Sequence, residues 1–112
     1  MPYRKINIKK KFLKFSEHWS PRVIAEMNDY QFKLAKIKGD FIWHDHKDTD
    51  EVFIVIEGRM NIEFRDGEVD LKEGDCMWSP KALSINLLQR MNVKLCLLNP
   101  EGLLTQVMSP VN

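Results

Sequence analysis

What this chain has little of already narrows its function. It carries two cysteines, Cys76 and Cys96, in 112 residues, and a chain of this size that depended on disulfides would carry more. Both are read as buried free thiols in a reducing cytoplasm. An excess of one charge is missing too. Seventeen basic side chains against 16 acidic ones leave a net charge of +1, so no global attraction draws the chain to nucleic acid or to an anionic membrane. No apolar run approaches a membrane span, and the basic stretch from Met1 to Lys11 has no continuous apolar segment behind it. A soluble, cytoplasmic protein is expected. A phosphate-cradling glycine loop, a nucleophile elbow and a Cys-x-x-Cys pair are all lacking. No 3.6-residue apolar period persists, so helices are not expected to build the core.

What is present is a series of short strands with turn chemistry between them, in a length that suits one domain spanning residues 1–112. Ile6 and Ile8 alternate with Lys5, Asn7 and Lys9, which predicts an edge strand protected by its lysines. Six basic residues and no acid lie between Arg4 and Lys14. They could bind phosphate, but a solvated edge is preferred. His18 has no partner nearby in sequence and is read as a surface or packing residue. Val23 to Met27 and Tyr30 to Leu34, joined at Asn28-Asp29, read as a hairpin.

Further on, Glu51, Phe53 and Val55 share one face of a strand whose other face is Val52, Ile54 and Ile56. A strand apolar on both sides needs a second layer, from its own chain or from another subunit, and this motivates a homodimer. Met60, Ile62 and Phe64 alternate with polar residues up to a hairpin at Asp66-Gly67. Val69 and Leu71 follow, then a turn at Glu73-Gly74-Asp75, then Cys76 to Ser79, stopped by Pro80. Ile85 to Leu88 and Val93 to Leu98 are the last clear strands, ahead of a turn at Asn99 to Gly102. Residues Leu103 to Val107 fit a short helix or a tail. The sum is an all-β, antiparallel barrel or sandwich, with a core at about residues 30–100 and strands of residues 1–29 packing on it or on a partner subunit.

One stretch carries chemistry. His44 and His46 are spaced to share a strand face, Lys47 to Asp50 let the chain double back, and Glu51 opens the next strand. On adjacent antiparallel strands, two imidazoles and a carboxylate could hold a divalent metal with coordination positions left open. Zinc, iron, nickel and manganese all suit such a donor set. Cys76 and Met77 could add a soft ligand but sit in an apolar run and are read as packing. Trp43, Trp78, Phe41 and Phe53 are read as core or interface, with Trp43 facing away from the histidines in an ideal strand. Asp45, Asp48 and Asp50 lack the glycine and closing glutamate of a calcium loop and are read as a solvated turn.

Gly39, His44, His46, Glu51 and Gly58 resemble the first motif of the cupin superfamily, G-x5-H-x-H-x3-4-E-x6-G, with the first gap one residue short. The second motif, G-x5-P-x-G-x2-H-x3-N, lies over Gly74, Pro80, Ala82, Ile85 and Gln89. Its first half is kept and its second half is lost. The chain is similar to the small single-domain bacterial cupins often labelled mannose-6-phosphate-isomerase-like. The resemblance implies a double-stranded β-helix, or jelly roll, with a metal inside, and usually a homodimer. Activity of an isomerase or dioxygenase type would follow from such a metal. Ile85 stands where the family's fourth ligand belongs, and isoleucine cannot bind metal. One expectation is therefore an open three-ligand site at His44, His46 and Glu51. The other is a degenerate barrel that holds a small sugar-like or apolar molecule, or serves a structural role, without metal.

Overall fold

The computed structural model describes residues 3–39, 41–43, 50–80, 85–88, 92–100 and 108–110. Among them are one short helix, α1 (Ile8–Phe12), and ten strands: β1 (Arg22–Met27), β2 (Tyr30–Ile37), β3 (Phe41–Trp43), β4 (Glu51–Glu57), β5 (Arg59–Phe64), β6 (Gly67–Lys72), β7 (Cys76–Ser79), β8 (Ile85–Leu88), β9 (Val93–Pro100) and β10 (Met108–Pro110). They form two five-stranded sheets, ordered β1-β2-β9-β4-β7 and β10-β3-β8-β5-β6. Every pairing described is antiparallel. From β2 to β9 the chain passes between the sheets so that β2-β9-β4-β7 faces β3-β8-β5-β6, the strand order of a jelly roll.

The sheets enclose one apolar core. Ala35, Ile37, Phe53, Val55, Val93, Leu95 and Leu97 come from the first sheet, and Met60, Ile62 and Leu71 from the second. Each set follows the period-two facing of its strand. The expected hairpin at Asn28-Asp29 is present, with Met27 opposite Tyr30, and Asn28 takes a φ of 57° that asparagine tolerates. The hairpin expected at Asp66-Gly67 is shifted by one residue. Phe64 pairs with Gly67, so Arg65-Asp66 form the turn. The Glu73-Gly74-Asp75 turn clips β6 and β7 onto β4: Gly74 N–H donates to the Val55 carbonyl at 2.9 Å, and Val55 N–H donates to the Asp75 carbonyl at 2.9 Å.

The N-terminal segment corrects the expected edge strand. Asn7 Oδ1 accepts the Lys10 N–H at 3.0 Å, an N-cap, and residues 8–12 wind into a helix whose last turn carries Lys9, Lys10 and Lys11. Ile8, Phe12 and Phe15 fall at i, i+4 and i+7, a short helical period that the lysines between them obscure. Phe12 and Phe15 form a second cluster with Leu34 and Cys96 on the outside of the first sheet, with Ile8, Ile24, Phe32, Ile54 and Ile56 packed against it. Lys94 reinforces it, with its ammonium 5.7 Å from the Phe12 ring centre and paired to Glu57 at 2.9 Å. The second layer needed by the outward face of β4 thus comes in large part from the chain's own N-terminus.

Candidate metal and ligand site in the barrel interior

Glu51 is the first residue of β4 and is 4% exposed. It shares the inward face of its strand with Phe53 and Val55, both in the core, so its carboxylate belongs to the barrel interior. An ionised carboxylate in such a place is stable only with a positive or hydrogen-bonding counterpart. That is the environment a metal ligand requires. His44 and His46, the other two expected ligands, lie outside the described residues. So do Asp45, Asp48, Ala82 and Gln89. Among the described residues, no three histidine, cysteine or acidic side chains converge.

The strand that precedes the histidines in sequence, β3, and the strand that Glu51 opens, β4, are not paired with each other. β3, which leads into His44, lies in one sheet between β10 and β8, whereas β4 lies in the other between β9 and β7. Ile85 opens β8 and pairs with Trp43, the residue before His44. Ile85 thus stands beside the last described residue of β3.

Three further polar residues are buried on the same inner wall, and sequence patterning assigned none of them to it. Lys33 is 4% exposed, Ser79 5% and Asn99 0%. Ser79 pairs with Glu51. Asn99 follows Leu98, the partner of Val52, and itself pairs with Gln31. Lys33 pairs with Leu97, a core residue. Its ammonium donates to Asn99 Oδ1 at 2.6 Å and to the Pro100 carbonyl at 3.2 Å. Together with Glu51 these are the buried polar side chains among the described residues, and all four stand at one end of one sheet. Interior polarity concentrated in this way is the mark of a binding site more than of a folding core.

Cys96 is buried in the outer cluster, and burial pushes its thiol up to about 11. Cys76, expected to be buried as well, is exposed because β7 is an edge strand and alternation turns Cys76 and Trp78 outward. Trp78 is 60% exposed, Phe53 is core, and Met77 packs against the core from the inner side. His18 is exposed, in agreement with its reading as a surface residue.

Comparison with known proteins agrees with this architecture. A family profile described as "Cupin domain" (Cupin_2) matches residues 32–83. The crystal structure of a cupin-2 domain containing protein from Shewanella frigidimarina is 50% identical, covers 86% of this chain and 94% of its own, and superposes with a TM-score of 0.82. A Neisseria meningitidis protein is 31% identical over 88% of this chain and 100% of its own, with a TM-score of 0.77. The chain belongs to the cupin superfamily. In the curated Bacillus subtilis protein YdbB the similarity is 46% identity over 59 residues, and the chain spans 52% of that relative's length. No helix among the described residues is long and apolar enough to cross a membrane.

Proposed function

We propose that this cupin binds a divalent transition metal inside its barrel through His44, His46 and Glu51. The observation that carries the reading is the burial of Glu51 on the inner wall, at the first position of β4. Two nitrogens and one oxygen suit zinc, iron, nickel or manganese, and three protein ligands leave coordination positions open.

When bound, the metal would supply Lewis acidity to a small-molecule ligand at its open positions. Glu51 would hold it from the β4 side, and the buried row of Ser79 and Asn99 would shape the space beside it. The grouping with the small mannose-6-phosphate-isomerase-like cupins rests on single-domain size and names no substrate. Ile85 at the fourth-ligand position makes the predicted affinity lower than that of a four-ligand site. Cobalt(II) titration tests the reading. Ligand-field bands that saturate near one equivalent in the parent and vanish in Glu51→Gln and in the His44→Ala/His46→Ala double variant are expected. Bands that persist in both variants would place the metal elsewhere.

A homodimer in the cytoplasm completes the proposal. The outer face of the first sheet carries a cross-strand row of Trp78, Val52, Leu98 and Phe32. Trp78 at one end is largely exposed, and the next three are half-buried. A second copy laid over this row would cover the part of the face that α1 does not.

A further inference from the structure

Lys33 and Asn99 stand outside the proposed set of metal ligands. A lysine is among the side chains least often fully buried, and burial of its charge is tolerated only with good hydrogen-bond acceptors. Asn99 Oδ1 and the Pro100 carbonyl provide two, at 2.6 and 3.2 Å. Because an ammonium can only donate, the Asn99 atom facing it must be the oxygen, which fixes the orientation of the amide. The other end, Nδ2, is fully buried and has no hydrogen-bond partner among the described residues. An amide N–H2 left so in a barrel interior costs stability unless something occupies it. It lies on the inner wall one step along the ladder from the Val52–Leu98 pair, in the row that contains Glu51 and Ser79.

We propose that Lys33 and Asn99 form a subsite for the carboxylate group of a small organic acid bound inside the barrel. Lys33 contributes the positive charge, and Asn99 Nδ2 donates a hydrogen bond to one carboxylate oxygen. Asn99 Oδ1 holds the ammonium in place, so the two side chains act as one preorganised unit. The proposal rests on the reading of the barrel interior as the binding site. A metal at Glu51 would strengthen it by offsetting that carboxylate's repulsion, but the dependence on Lys33 and Asn99 holds with or without metal.

The test measures benzoate and acetate binding to the full chain by ligand-observed NMR, in metal-free and in zinc-treated protein, with benzamide and acetamide as neutral controls. The variants are Lys33→Met and Asn99→Asp. The second keeps an oxygen for Lys33 to donate to while replacing the donor amide with an anion. The carboxylates should bind the parent in at least one of the two states and the amides should bind less well. Each variant should weaken carboxylate binding about tenfold or more and leave the amides unchanged. Carboxylate binding that Asn99→Asp leaves intact would overturn the proposal, as would the absence of carboxylate binding in both states of the parent. Failure of the metal reading would appear separately, as zinc-treated protein that retains no zinc.

Discussion

Lys33 and Asn99, 66 positions apart in the chain, are joined inside the barrel by a hydrogen bond of 2.6 Å between the ammonium and the side-chain oxygen. The bond ties β2 to β9 from the interior, diagonally across a ladder in which Lys33 pairs with Leu97 and Asn99 with Gln31. A charge-assisted bond of this kind is shorter and stronger than a neutral one. Its position adds to the buried polarity at the end of the sheet that also holds Glu51.

The N-terminal helix is expected to be an integral part of the fold. Phe12 is 1% exposed and packs on Leu34 and Cys96. Phe12→Ala should cost about 3–5 kcal/mol in urea unfolding, in the range of other buried aromatic truncations. Asn7→Ala removes only the cap and should cost about 1 kcal/mol. Equal and negligible effects would mean that the segment does not dock.

Gly58 should tolerate no side chain. Its φ is +97°, and a Cβ would lie 2.7 Å from the Asn92 carbonyl oxygen, a backbone atom with little freedom to yield. Gly58→Ala should destabilise by roughly 2–4 kcal/mol from the two effects together. Gly67 faces open space, and Gly67→Ala should change stability by less than about 1 kcal/mol. Thermal unfolding of the two variants side by side checks the contrast.

The two thiols should be distinguishable by reagent and by pH. Cys76 is exposed and should react with a disulfide reagent in the native protein, whereas Cys96 should react only on unfolding. The folded-state value of Cys96 is about 11 against an ordinary 9.0. The native state therefore keeps a proton that the unfolded chain releases first. This contribution to stability is complete below pH 9 and is lost as pH rises towards 11, about 2 kcal/mol in all. Cys96→Val should flatten that alkaline slope. An unchanged slope would assign it to other groups.

Light scattering at micromolar concentration should give about twice the chain mass of 13.2 kDa. Trp78→Arg should shift the protein to monomer while leaving the barrel folded. A monomeric parent would remove the homodimer and leave the Trp78 row as solvent-exposed surface.

Most of the fold was legible because turn residues and period-two patterns are local. Asn28-Asp29, Glu73-Gly74-Asp75 and Pro80 each mark a boundary that the structure keeps. The facing of β2 was harder to see. Phe32 and Leu34 alternate with Lys33, and the pattern suggests apolar side in, lysine out. In the structure the apolar side meets α1, and Lys33 points into the barrel. A helix that the sequence disguises as a basic edge strand had reversed the apparent inside and outside. Asn99 was hidden for a related reason. Asn-Pro is a turn signal, but Tyr30 and Gln31 pair with Pro100 and Asn99 and carry the strand through it. Glu51 was legible because it shares one face of its strand with Phe53 and Val55.

Elemental analysis of protein purified without a histidine tag or added metal, then reconstituted and dialysed, tests the proposed metal site at His44, His46 and Glu51 most directly. Close to one equivalent of a divalent transition metal is expected in the reconstituted parent, falling below about a tenth of an equivalent in the His44→Ala/His46→Ala variant. A parent that stays below about a tenth of an equivalent after reconstitution would contradict the claim.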